Sequence, residues 1–145
     1  MNEYKHILTA VDLTEESHLE AQRACALQRA NANAKLSCLH VIEPLSLAYG
    51  GDIPMDLSNI QEQIQETAKL HLAEFAKTLN TQTQDQHLIF GRPETEIHTL
   101  ANQIGADLIV VGSHGRHGLA LLLGSTANGV LHGAPCDVLA VRVGN

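Results

Sequence analysis

A chain of 145 residues, 44% hydrophobic and 17% charged, is sized to bury one core and fits neither a disordered polymer nor a disulfide scaffold. Its net charge of −7, with no tryptophan, two Phe and two Tyr, excludes a broad nucleic-acid footprint and a stacking platform for bases. No apolar run approaches the roughly 18 residues of a membrane span, and Met1 to His6 lead straight into a strand, so one cytoplasmic domain over residues 1–145 with no membrane partner is expected.

Residues 6–12 read as a short apolar strand ending on the carboxylate of Asp12. Thr14 or Ser17 can cap the next helix, which carries Leu19, Ala21, Ala24 and Leu27 toward residue 31. An Asn-rich turn precedes a second strand at 36–42, in which His40 reads as a packing residue. Residues 43–57 hold two prolines and Gly50-Gly51 and read as a long loop. Ser58 and Gln61 form a capping-box pattern for the clearest helix, whose Ile60, Ile64, Ala68, Leu72, Phe75 and Leu79 recur every three or four residues.

A third strand follows at 87–90. Pro93 opens a helix with Ile97, Leu100, Ala101 and Ile104 on its inner face, and Gly105 closes it. Residues 108–111 form a fourth strand, 125–132 a helix closed by Gly133 and Pro135, and 138–143 the last strand. Five strands separated by helices imply a mostly parallel sheet with helices on both faces. Ligands of such sheets bind beyond the carboxyl ends of the strands, where Asp12, Val41 and Gly112 fall.

The chemistry concentrates after the fourth strand. Val110-Val111-Gly112-Ser113-His114-Gly115-Arg116-His117-Gly118 places three glycines within seven residues, and Gly124-Ser125-Thr126 follows. Glycine lets the backbone approach a ligand closely, and free N–H groups at a helix start hold anions. The pattern fits a phosphate cradle built from the N–H groups of Gly112, Ser113, His114, Gly115 and Arg116 and those of Gly124, Ser125 and Thr126. The plain alternative is a strand-to-helix turn with Gly124-Ser125-Thr126 as its N-cap. Asp12 is a turn or capping residue, or else lies near a ligand; there a ribose hydroxyl or a Mg²⁺ suits a carboxylate better than a bare phosphate does. Arg116 either offsets phosphate charge or is simply solvated.

His114 and His117 have no Cys or carboxylate beside them to complete a ligand set, so no protein metal site is expected. Val-Gly-Ser-His-Gly falls one residue short of a Gly-x-Ser-x-Gly elbow, and no nucleophile–base pair is visible. Catalysis beyond slow ATP hydrolysis is therefore not expected. Cys25, Cys38 and Cys136, odd in number and widely spaced, read as reduced packing thiols.

Four stretches carry a resemblance: Lys5-His6-Ile7-Leu8-Thr9-Ala10-Val11-Asp12, Leu39-His40-Val41-Ile42, the glycine run from Gly112, and Ala134-Pro135-Cys136-Asp137-Val138-Leu139-Ala140-Val141. In order, and over essentially the whole chain, they resemble the universal stress proteins. The resemblance implies a five-stranded Rossmann-like sheet of order 3-2-1-4-5, related to other adenine-nucleotide-binding folds, in a cytoplasmic, usually dimeric stress-response protein. One branch of that family binds ATP and the other does not. In the ATP-binding branch a glycine, two residues, a glycine, nine residues, then a glycine with Ser or Thr hold phosphates and ribose. Gly112, Gly115 and Gly124-Ser125 match those positions. The resemblance also implies that Asp12 lies near the nucleotide, that Ala10 sits where the chain passes the phosphates, and that the Val41 backbone meets the adenine. In the family's strand order the last strand, with Val138 and Val143 at its ends, is an apolar edge, and antiparallel pairing with a second copy would cover it.

One count divides the readings. Eight residues, not nine, separate Gly115 from Gly124. In helical geometry one residue is about 1.5 Å and 100°, enough to misaim an N–H at a phosphate. The shorter spacing is that of the branch typified by universal stress protein A, which usually lacks the glycines. The chain reads first as a regulator binding ATP or another adenine nucleotide, with Mg²⁺ accompanying it. The alternative is a nucleotide-free dimeric interaction protein that uses its long loop. A nucleotide-hydrolysing or phosphoryl-transferring enzyme would need a base and a P-loop lysine that the sequence does not offer.

Overall fold

The computed structural model describes residues 4–11, 17–31, 34–43, 58–79, 85–113 and 129–142. In chain order they form β1 (His6–Ala10), α1 (Ser17–Ala30), β2 (Lys35–Ile42), α2 (Ser58–Leu79), β3 (Gln86–Phe90), α3 (Pro93–Ile104), β4 (Leu108–Ser113) and β5 (Asp137–Arg142). The sheet has the order β3-β2-β1-β4-β5, and every pairing is parallel. This is the order the resemblance implied.

Successive side chains of a strand point to opposite faces, and both faces here are covered. Ile7, Leu36, Cys38, Leu108 and Val110 pack on one face with Ala21 and Ala24 of α1 and Leu72, Phe75 and Leu79 of α2. Leu8, Leu39, Ile109 and Val111 pack on the other with Ile97, Leu100 and Ala101 of α3 and with Val130. Burial on both sides is why the strands read as nearly unbroken apolar runs.

The strand limits differ from the expected ones in ways that matter at the carboxyl rim. β1 ends at Ala10, two residues before Asp12, which lies outside the described residues. β4 continues past Val111 through Gly112 to Ser113, because Gly112 pairs with Val141 and Ser113 with Arg142. β2, β3 and β5 each begin one residue early, at Lys35, Gln86 and Asp137. Of the helix expected at 125–132, the described part is helical at 129–131, and Gly133 closes it at φ 76°.

Pro93 stands in the first turn of α3, and Gly105 caps its end at φ 72°, ψ 32°, donating its N–H to the Ala101 carbonyl. Two expected inner-face residues are not inside. Leu19 is 45% exposed, because Ala21 and Ala24 define the buried stripe of α1 and residue 19 lies past its edge at 100° per residue. Ile60 is 44% exposed for a different reason. The 22 residues of α2 span about 33 Å, whereas the five of β3 span about 17 Å. The first turns of α2 therefore overhang the sheet.

Candidate functional site

The connection from β1 leads to β2 on one side, while the chain from β3 crosses back to β4 on the other. β1 and β4 thus flank the point where the winding reverses, the place where doubly wound sheets hold ligands. Ala10 pairs with Leu39 on one side and with Val111 on the other. Val41 lies two residues beyond Leu39, and Gly112 one beyond Val111. With strands about 4.8 Å apart and a rise of about 3.3 Å per residue, Ala10, Val41 and Gly112 share one rim within roughly 10 Å. All three are half-buried.

Val11 continues the β1–β2 ladder for half a rung: its N–H donates to the Leu39 carbonyl at 2.9 Å. Its carbonyl is taken by the His40 side chain, whose Nδ1 lies 2.7 Å away. A carbonyl only accepts, so Nδ1 carries the hydrogen. His40, expected as packing alone, is thus a hydrogen-bonding residue at the rim. On the far side of β2 the Gly91 N–H donates to the Ile42 carbonyl at 3.0 Å.

Of the expected site residues, the structure brings together Ala10, Val41, Gly112 and the backbone of Ser113 at the carboxyl ends of adjacent strands. Asp12, His114, Gly115, Arg116, Gly124, Ser125 and Thr126 lie outside the described residues. The chain that follows them is anchored on α3: His98 Nε2 donates to the Val130 carbonyl at 2.7 Å, and Val130 is fully buried. Among the described residues no group of three or more His, Cys, Asp or Glu could hold a metal ion, and no helix is long and apolar enough to cross a membrane.

Comparison with known proteins identifies the fold's owner. A family model described as the universal stress protein family matches residues 3–142. The chain belongs to the universal stress protein family. Universal stress protein A homolog 1 of Coxiella burnetii is 43% identical over 139 residues, 95% of this chain and 96% of its own length. A hypothetical protein solved as a test case of structure-based functional assignment superimposes with a TM-score of 0.79 at 25% identity, covering 99% of each chain. A universal stress protein crystallised in complex with cAMP superimposes with a TM-score of 0.69 at 24% identity, covering 97% of this chain and 98% of its own.

This universal stress protein also carries polar groups that the sequence reading passed over. Thr9 donates its hydroxyl to the Glu20 carboxylate, and both are buried, Glu20 to 2% exposure. A carboxylate in such a place is costly unless it is hydrogen-bonded. Helical spacing could have found it, since Glu20, Ala24 and Leu27 share one stripe. At the opposite rim, His6 donates from Nδ1 to the Ile104 carbonyl at 3.2 Å and accepts the Ser37 hydroxyl at Nε2 at 2.8 Å. Burial pushes the His6 imidazole below its ordinary value, against the Ile104 carbonyl, which pulls it up. Burial also pushes His87 down, against the pull of Asp85. None of the three cysteines forms a disulfide, and burial raises the Cys25 and Cys136 thiols away from reactivity.

Proposed function

We propose that this universal stress protein is a cytoplasmic stress-response regulator that binds ATP or another adenine nucleotide as a signal rather than as fuel. The observation that carries the reading is the convergence of Ala10, Val41 and Gly112 at the winding reversal, directly ahead of a glycine run. In this reading the Val41 backbone receives the adenine. Phosphates rest on the N–H groups from Gly112 to Arg116 and from Gly124 to Thr126. Asp12 faces the ribose or an accompanying Mg²⁺. The relative crystallised with cAMP supports an adenine nucleotide as the ligand class. We further propose a homodimer, formed when the edge strand β5 pairs with its copy, since β5 has one neighbour in the sheet and half-buried Val138, Leu139 and Ala140 along it.

Calorimetric titration with Mg-ATP and with cAMP tests the proposal. Binding at micromolar to millimolar concentration is expected, and Gly115→Val should abolish it by steric intrusion while leaving the oligomer unchanged. An incubation with ATP should yield no rapid release of ADP.

The short interval between Gly115 and Gly124 favours a second reading, a dimeric interaction protein without nucleotide. Absence of heat with both nucleotides at millimolar concentration would decide for it. Inserting one residue between Gly115 and Gly124 then sharpens the choice, since restored spacing should create affinity where none existed.

A further inference from the structure

The parallel ladder alternates: a strand residue directs both its N–H and its C=O to one neighbour, and the next residue directs both to the other. On β2, the Leu39 carbonyl faces β1, where it takes the Val11 N–H, and the Ile42 carbonyl faces β3, where it takes the Gly91 N–H. Val41 has the same parity as Leu39, so its N–H and C=O are directed to the β1 side. In an uninterrupted ladder the Val41 N–H would donate to the Val11 carbonyl. That carbonyl is engaged by His40 Nδ1 at 2.7 Å instead.

We propose that His40 is a positioning residue: by taking the Val11 carbonyl it ends the β1–β2 ladder one rung early and reserves the Val41 N–H and C=O for a ligand edge with a matching acceptor and donor. The N1 acceptor and N6 amino donor of adenine form such an edge, whereas the N1–H and O6 of hypoxanthine reverse it. This assignment of a specificity role rests on the nucleotide reading above, but its structural half stands without it. The imidazole suits the task because its Nδ1 reaches sideways from β2 to the Val11 carbonyl just past β1. An Asn amide nitrogen can occupy the same place, a Gln nitrogen extends one bond too far, and Leu has no donor.

Two measurements on the full-length protein test the proposal. The first is amide hydrogen exchange without nucleotide. The Val41 amide should exchange at least about tenfold faster than the Leu39 amide in the wild type and in His40→Asn, and should gain protection in His40→Leu as the freed Val11 carbonyl takes up the rung. Equal protection of Val41 and Leu39 in the wild type overturns the proposal, whatever the protein binds. The second is calorimetry with Mg-ATP and Mg-ITP. His40→Leu and His40→Gln should weaken Mg-ATP by about tenfold, the loss of one hydrogen-bonded constraint, and shrink the preference for ATP over ITP, while His40→Asn restores both. An unchanged preference in His40→Gln, or failure of His40→Asn to rescue it, overturns the specificity role. Should His40→Leu not fold, the Asn and Gln variants still decide. A wild type that binds no nucleotide fails the parent reading and overturns the specificity role, while Val41 exchange still judges the ladder role.

Discussion

The amino-terminal rim of the sheet is laced together by side chains. Asp107 accepts the Lys5 and His6 N–H groups at 2.8 and 3.0 Å, His6 links Ile104 to Ser37, and Tyr4 reaches Asn31 and Asp137, both at 2.8 Å. Lys35 pairs with Asp85 at 3.2 Å on the same side. At the carboxyl-terminal rim the bonds among the described residues run mostly through the backbone. Val11 holds to Leu39 through its N–H, Gly91 to Ile42, and His40 takes the Val11 carbonyl. One end of the sheet uses its polar groups to close gaps between strands. The other joins the end of β2 to the residues just past β1 and β3, beside Ala10, Val41 and Gly112. On the proposed nucleotide reading, substitutions at this lower, amino-terminal rim should move unfolding without touching affinity, and those at the upper, carboxyl-terminal rim should do the reverse.

Asp107→Ala should produce the largest stability change of the set. Two backbone donors would lose a charged acceptor, and at a half-buried site that costs about 2 kcal/mol. Urea unfolding should register the loss while Mg-ATP affinity stays at the wild-type value. A parallel fall in affinity would break the proposed division between the rims.

Acid should act on the same rim. Burial holds His6 and His87 below the ordinary value of 6.5, so the folded state binds their protons more weakly than the unfolded chain does. The unfolded state then carries more protons as pH falls through 6.5, and stability drops with falling pH. Asp107 adds a second stage. Partial burial pushes its carboxyl up, but the bonds from the His6, Lys5 and Asp107 N–H groups outweigh that and hold it below 3.8. Its contribution is present above the ordinary carboxylate value and is lost only as pH falls through the folded one. Urea unfolding between pH 7.5 and pH 5 should show the histidine stage, with a shallower slope in His87→Gln. Identical slopes would remove His87 from the account.

Much of this was legible in the sequence, for a physical reason. A sheet covered on both faces needs apolar runs, and the runs around Leu8, Leu39 and Ile109 announced their strands. The rim positions of Val41 and Gly112 then followed from counting along those strands. The lower rim was not legible, because Lys5 meets Asp107 across 102 positions and no local pattern records that meeting. Ile60 misled because its helical spacing is regular while its turn overhangs the sheet, a fact of relative lengths. His40 was hidden differently. An imidazole in an apolar strand resembles packing until the early end of β1 gives it a carbonyl to bind.

Smaller effects sharpen the same comparison. Gly105→Ala puts a Cβ into open space but at φ 72°, so the cost is backbone strain alone, about 1 kcal/mol. Tyr4→Phe should cost less, about 0.5 kcal/mol, because its hydroxyl bond to Asp137 is exposed to solvent. The bond leaves a spectroscopic mark all the same. The hydrogen bond to Asp137, with help from burial and from the Asp137 charge, raises the Tyr4 phenol above 10.0. The folded state thus favours the neutral phenol, so this contribution is intact below pH 10 and disappears as the hydroxyl ionises above it. An ultraviolet titration of the folded protein should show a late tyrosinate component that Tyr4→Phe removes. Asp137→Asn should shift that component to lower pH, since the acceptor keeps its oxygen but loses its charge. If the component stays where it was in Asp137→Asn, the pin between the start of β1 and the start of β5 is weaker than its geometry implies, and the lower rim is held by Asp107 and His6 instead.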